Sequence, residues 1–342
     1  MTSIFIDPYI LAYPIQEENF SVNDFEDYIQ NLLSWRELKD VNWSEIFVSK
    51  NTSEILMEFN DYPQWETLRD SLAKSGLNQI YQPKDIIGII DGFLHLPSIE
   101  EKLGISDILF DDFVLNPNRH LDNRPSIYSD EHNRLLMLMM LSNHFAQVYD
   151  ASYLVSRGIG HSRLDFSGNI IDCDFDNGDS IISFPLTLKG YCTSCVGLEE
   201  VILSVDPVTL WKESKSFGQY RSVLDIYIYQ RLIMIGEEPS IGTKWSFGRE
   251  FFNKCREQGF LHEESKIKIL LKSCAEVILE ENQSLTHALR TGEGGNNPQK
   301  TRGNDKAWRR DINYEYHLHY WQTNNGFELA SVVVHNNMEI PA

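Results

Sequence analysis

"KTRGNDKAWRRDINYEYHLHYWQTNNGFELASVVVHNNMEIPA", residues 300–342, reads as β-strands with a period of two. Three runs carry the pattern, AWRRDI, YEYHLHYWQ and FELASVVVH, and the last two are joined by TNNG, a hairpin turn. Within YEYHLHYWQ the alternation places Tyr314, Tyr316, Leu318 and Tyr320 on one face and Glu315, His317, His319 and Trp321 on the other. The first set is core-like. The second gathers two imidazoles, a carboxylate and an indole beside the WRR strand, with His335 closing the final strand.

Working back toward the N-terminus, a glycine-rich loop, RTGEGGNNPQKTRG, separates these strands from two helical patterns. SFGREFFNKCREQG predicts a helix ending at Gly259, and HEESKIKILLKSCAEVILEENQSLTHAL a longer one. Phe251, Phe252 and Cys255, then Ile267, Leu270, Leu271, Ala275, Ile278 and Leu279, recur at three and four, so each helix has one core face. The expected order is a helical hairpin followed by a three-stranded antiparallel meander.

Charge isolates this region. The chain carries a formal net charge of -20, yet residues 237–342 hold 13 Lys and Arg against 15 Asp and Glu, leaving 17 against 35 for residues 1–236. Residues 290–310 carry Arg290, Lys300, Arg302, Lys306, Arg309 and Arg310 against Glu293 and Asp305. A local cationic patch on an acidic chain is suited to holding phosphates.

Those residue types suffice for cleaving RNA without a metal. The reaction needs a base for the 2'-hydroxyl, an acid for the leaving 5'-oxygen and cations for the phosphorane, and histidine serves either of the first two roles near neutral pH. Arg302, Arg309 and Arg310 supply a candidate clamp, and Trp321 or Trp308 a surface for stacking an unpaired base. The same composition also describes the solvent face of any small sheet.

Residues 245–342 resemble the RelE/ParE toxin superfamily, small ribonucleases or gyrase-directed toxins of the barnase/EndoU/RelE-like kind. The match rests on KTRG at residues 300–303 in place of the family's K-L-R-G turn, KAWRRDI as the next strand, YHLHY in place of Y-R-L-x-Y, and FELASVVVHNN as the last strand. The resemblance implies a helical hairpin packed on a small antiparallel sheet. Position by position, it sets His317 in the place of the active-site arginine, Arg302 with Lys300 in the turn, and His335 near the terminal catalytic cluster. GTKWSF is the one segment available for the family's N-terminal strand, and HNNMEIP carries neither the basic run nor the late tyrosine of many ribosome-dependent members. Histidine in place of arginine favours acid–base chemistry.

The first two thirds mix helices and short strands. SIFIDPYILAYP reads as strand-like with Pro8 at an edge or bend, and helices are expected in VNDFEDYIQNLLSW, YPQWETLRDSLAKSG, PKDIIGIIDGFLHLP and, capped by Ser129 and Asp130, SDEHNRLLMLMMLSNHFAQVY. SDILFDDFVL reads as a strand. From residue 151 to about 205 the period shifts toward two, in GNIIDCDF, DSIISFPL and LEEVILSV, with DFDNGDS as a hairpin turn. A helix, GQYRSVLDIYIYQRLIMIG, precedes EEPSIG, the best boundary signal.

Other candidates are weaker. CTSC offers Cys192 and Cys195 at zinc spacing, with Cys173 and His161 to complete four, or it is an unliganded pair. DCDFDNGD resembles a calcium loop with glycine one position late and Ser183 where the bidentate glutamate belongs, and the hairpin turn is the better reading. Asp7 with Asp111, Asp112, Asp130 and Asp150 loosely resembles the scattered carboxylates of PIN-type metal nucleases. RGIGHSR, residues 157–163, is a phosphate-gripping loop or a polar turn.

At 342 residues two domains are expected, with five cysteines, no disulfide framework, no signal peptide and no run long enough to span a membrane. The expectation is an α+β protein placed in the cytoplasm: an acidic regulatory region, residues 1–238 with a break near 150, and a RelE-like ribonuclease domain, residues 239–342. Catalysis falls to His317, His335 and His319, phosphate binding to Lys300, Arg302, Arg309 and Arg310, stacking to Trp321, with no metal or cofactor. RNA, ribosome-associated mRNA or tRNA included, is the expected partner, with a partner protein or antitoxin beside it. A bacterial toxin or antiphage effector held silent by its acidic region would fit, as would a non-catalytic binding subunit of a defence or toxin–antitoxin assembly.

Overall fold

The computed structural model describes residues 2–14, 21–36, 43–118, 124–146, 152–157, 161–176, 183–238, 244–292 and 296–341. It is a mixed α and β structure that divides into two compact units, Met1–Ser204 and Val205–Ala342.

The first unit is built on a six-stranded sheet ordered β2-β1-β4-β6-β5-β3. The strands are β1 (Thr2–Ile6), β2 (Ser44–Phe47), β3 (Ile105–Asn116), β4 (Ser152–Val155), β5 (Ser162–Phe175) and β6 (Leu186–Cys195). The β2, β1, β4 and β6 strands run parallel, and β5 and β3 add antiparallel at one edge. Its helices are α1 (Val22–Arg36), α2 (Thr52–Glu58), α3 (Trp65–Ser75), α4 (Pro83–Leu94), α5 (Ile99–Leu103), α6 (Ser126–Ala146) and α7 (Leu198–Ser204). Two of these starts are local chemistry: Pro83 opens α4, and Ser98 and Glu101 close a capping box on α5.

The helix α6 packs the apolar run LLMLMML onto the sheet, with residues 135–141 all buried. Gly168 and Gly190 make the approach possible, since a Cβ at either would stand 3.0 Å from Met137 Sδ or Met140 Cγ. This helix begins at Ser126, just after Pro125, rather than at the Ser129–Asp130 pair. LEEVILSV, expected as a strand, is the helix α7, and LTLKGYCTSC forms β6 instead. Short apolar runs carry no periodicity that separates the two states. The DFDNGDS turn falls largely on residues 177–180, outside the described residues.

The second unit comprises α8 (Pro207–Glu213), α9 (Phe217–Met234), β7 (Trp245–Phe247), α10 (Phe251–Glu257), α11 (Glu264–Ile278), β8 (Thr286–Ala288), β9 (Thr301–Arg302), β10 (Asp305–Asp311), β11 (Tyr316–Thr323) and β12 (Gly326–Val334). Its sheet runs β7-β12-β11-β10-β8, with β9 turning back onto β10. The three expected strands and the TNNG hairpin are present, and GTKWSF supplies β7, parallel to β12. Thr286–Ala288, inside the stretch expected to be helical, is a strand, because α11 stops at Ile278 and Glu280 and Asn282 take positive φ. The helices α8 and α9 belong here: Trp211 Nε1 donates to the Phe260 carbonyl at 3.0 Å, and Arg231 pairs with Glu281 at 2.5 Å.

Candidate functional site

Register fixes what shares a face on the second sheet. Arg309, His319 and Ser331 form one cross-strand row, Asp311, His317 and Val333 the next, and Ala307 stands opposite Trp321. The opposite face carries Tyr316, Leu318 and Tyr320, Tyr316 stacking edge-on against Phe260, whereas Tyr314, expected with them in the core, precedes β11 and is 87% exposed.

His317 is the centre of a cluster at one end of the first face. Its Nε2 lies 3.1 Å from Asp311 Oδ1, while His287 Nε2 approaches Asp311 Oδ2 at 3.5 Å. The His335 ring is 4.6 Å from that of His317, and the His319 ring 6.4 Å. The His317–Asp311 contact is close but out of hydrogen-bond alignment, so both ring nitrogens lack a hydrogen-bond partner among the described residues. Burial drives the His317 imidazole below its ordinary pKa; Asp311 opposes this, and Arg309, His335 and His287 add to it. The ring is therefore neutral at pH 7, able to accept a proton. Its side chain is 1% exposed, whereas Asp311 is 32% and His287 47% exposed, so a buried imidazole sits behind an accessible rim. Arg309 is half-buried, and its Nε has no hydrogen-bond partner among the described residues.

The other expected site residues are engaged elsewhere. Arg310 faces the helices, fully buried, paired with Glu276 of α11 and donating to the carbonyls of Glu281 at 2.9 Å and Asn282 at 3.1 Å. It closes the C-terminal end of α11 and cannot hold a phosphate. Arg302 bridges Asp305 at 3.0 Å and Glu328 at 2.8 Å and lies over the Trp321 ring. Trp321 is 3% exposed, with Nε1 donating to the Pro341 carbonyl, so no base can stack on it in this conformation. His319 is fully buried, and Lys300 Nζ donates to the Met338 carbonyl. His317, His335 and Arg309 remain together; Asp311 and His287 join them. Asp311 was readable, two residues from Arg309 on a strand. His287 was hidden in a segment read as helix.

The weaker candidates do not assemble. Cys192 and Cys195 lie three apart on β6, which turns their side chains to opposite faces. Burial pushes the thiols up, Cys173 to about 11 and Cys195 to about 12, against the thiolate that zinc requires. Among the described residues no group of His, Cys, Asp or Glu could hold a metal ion. Asp111 and Asp112 lie on β3, four strands from β1 and so ~19 Å away at ~4.8 Å per strand. Asp130 is exposed on α6, and Asp150 is outside the described residues, as are residues 158–160 of RGIGHSR and 177–179 of the calcium-like loop.

Asp7 closes β1 and Ser156 follows β4, at the strand ends where an open parallel sheet forms its crevice. Here Asp7 is engaged by its neighbours. Asp7 Oδ2 receives Arg124 at 2.8 Å, His132 at 2.9 Å and Ser156 at 2.8 Å, all of them buried. Burial alone would raise the Asp7 pKa, but Arg124 and His132 reverse this and hold it far below the carboxylate range. The arrangement locks two strand ends together. No family model, curated protein or solved structure matches the chain.

Proposed function

We propose that the second unit cleaves RNA without a metal, at the His317 cluster. The observation that carries this reading is a buried His317 beside Asp311, with His335 and His287 at the rim and Arg309 in the adjoining row. His317 takes the proton of a 2'-hydroxyl. The freed oxygen attacks the adjacent phosphorus, giving a 2',3'-cyclic phosphate as the bond to the 5'-oxygen breaks. A protonated rim histidine supplies the proton to that leaving oxygen, and Arg309 offsets the phosphorane charge. At 4.6 Å the His317 and His335 rings touch, so exposed His335 swings outward to admit a phosphate, each ring then needing its own hydrogen bond of ~3 Å. His287 is placed for the same acid role across Asp311.

The RelE/ParE-like ancestry, the toxin or antiphage setting and a restraint exerted by the acidic first unit belong to the same proposal. A second reading, a non-catalytic binding subunit, is favoured by one observation: His319, Trp321, Arg302 and Arg310 are all occupied by internal contacts.

The test is incubation of the full chain and of residues 205–342, which lack the restraining unit, with a uridine-containing RNA in EDTA, each beside its His317→Ala, His335→Ala and His287→Ala forms. Cyclic phosphate ends are expected, with cleavage falling about 10²- to 10⁴-fold in His317→Ala. Equal breakage by wild type and His317→Ala would overturn the assignment, and RNA retention without breakage would favour the binding subunit.

A further inference from the structure

Beside the histidine cluster, residues 336–341 cross the same sheet face as a strap. It is tied at three points: Lys300 Nζ donates to the Met338 carbonyl at 2.7 Å, His319 Nδ1 to that of Glu339 at 2.8 Å, and Trp321 Nε1 to that of Pro341 at 2.8 Å. Met338 and Ile340 pack on Leu289, Ala307, Trp321 and Ala330. Strap, sheet and α10 line a partly open pocket of about 330 Å³, its residues including Lys254, Lys300, Ser331, Asn337 and Glu339. That volume lies at the low end of small-molecule sites, which span ~300–1,000 Å³.

Its polar lining is specific. Ser331 is fully buried, and its Oγ has no hydrogen-bond partner among the described residues. His319, not itself a lining residue and also fully buried, stands opposite Ser331 across the strand pair. A carbonyl can only accept, so the bond to Glu339 fixes the ring proton on Nδ1 and leaves Nε2 a buried lone pair, likewise without a partner. A buried acceptor left unmatched costs free energy that a ligand's donor would recover. The charges are equally telling. Lys254 is offset by Glu257, at 2.8 Å, and by Glu339, whereas the Lys300 ammonium is held by a carbonyl and has no carboxylate partner among the described residues.

We propose that this cavity binds a small hydroxylated anion of the ribose phosphate kind, its phosphate at Lys300 and its hydroxyl between Ser331 Oγ and His319 Nε2. The site requires binding and no turnover, so it stands whether or not the His317 cluster cleaves RNA. Such a ligand is available from two sources, a free sugar phosphate or one unit of an RNA chain.

Calorimetric titration of the full-length protein with ribose 5-phosphate and with 2-deoxyribose 5-phosphate tests it. The ribose form is expected to bind about ten-fold more tightly, and Ser331→Ala, which deletes a hydroxyl without a hydrogen-bond partner among the described residues, to weaken it about ten-fold. Titrating the His317→Ala protein with the dinucleotide UpU separates the sources: UpU binding at least as tightly as the sugar phosphate assigns the site to RNA, and sugar phosphate binding alone assigns it to a free ligand. Absence of binding by all three probes, or affinities indifferent to both the 2-hydroxyl and Ser331→Ala, would overturn the proposal and leave the cavity as solvent-filled packing.

Discussion

Arg309 and Arg310 are neighbours in sequence and opposites in role. A strand cannot turn consecutive side chains to one face, so the WRR run was never able to offer both guanidinium groups to one phosphate. Arg310 neutralises Glu276 and caps α11, and removing one partner of a buried ion pair leaves the other charged and unpaired. Arg310→Met is expected to lower unfolding free energy by about 3–5 kcal/mol in chemical denaturation. Arg309→Ala should change stability by less than about 1 kcal/mol yet reduce RNA cleavage. Loss of cleavage in Arg310→Met under conditions where it remains folded would contradict this division.

His319 gives the same face a pH dependence. Burial holds its pKa at about 4 against the ordinary 6.5; the carbonyl of Glu339 opposes the shift, and His317, Arg309 and Lys300 add to it. The folded ring thus takes up its proton only at lower pH than the unfolded ring, so the unfolded chain binds more protons between those values. Stability is full above about 6.5 and declines as pH falls toward about 4, by on the order of 3 kcal/mol for this group. His317 shifts in the same direction. Denaturation midpoints measured from pH 7 to pH 4 should fall in wild type and fall less steeply in His319→Gln; parallel slopes would refute the assignment.

At the scale of elements, β11 explains why the face was only half legible. Alternation separated its two sides correctly, but a period of two cannot say whether the second side meets water or protein. Here it meets the strap, and the six residues Tyr316–Trp321 are all buried. HNNMEIP gave no signal of this, since a segment held by backbone carbonyls leaves no side-chain pattern. The β8 strand was lost for a related reason: three residues after a helix cannot establish a period. Met338→Asp would set a charge against Leu289 and Trp321 and should detach the strap. Increased acrylamide quenching of Trp321, measured against a Trp321→Phe background to isolate its signal, is the expected result. Unchanged quenching would mean that the three backbone contacts hold the strap without Met338.

Across the whole molecule, the charge asymmetry and the strand-rich end pointed to two parts, with the division expected at EEPSIG, whose residues 239–242 lie outside the described residues. That signal follows α9, and the compact units part instead between Ser204 and Val205. The helices α8 and α9 read as part of the preceding region because sequence order joined them to it. Their contacts say otherwise: Trp211 is fully buried and bonded to the Phe260 carbonyl, Arg231 pairs with Glu281, and Trp245 Nε1 donates to Asp225 at 3.2 Å. A fragment of residues 239–342 would strip Phe252 of the Trp211 and Tyr220 rings beside it, exposing large apolar area at roughly 25 cal/mol per Å². Residues 205–342 are therefore expected to unfold cooperatively when expressed alone, and residues 239–342 to lack a cooperative transition, as followed by circular dichroism on heating. The same pair decides how the restraint by the first unit should be tested. Silence of the shorter fragment toward RNA would reflect its broken core, so only residues 205–342 can be compared fairly with the full chain. Faster cleavage by that fragment would support restraint by the acidic unit, and equal rates would remove it from the proposal while leaving the His317 chemistry intact.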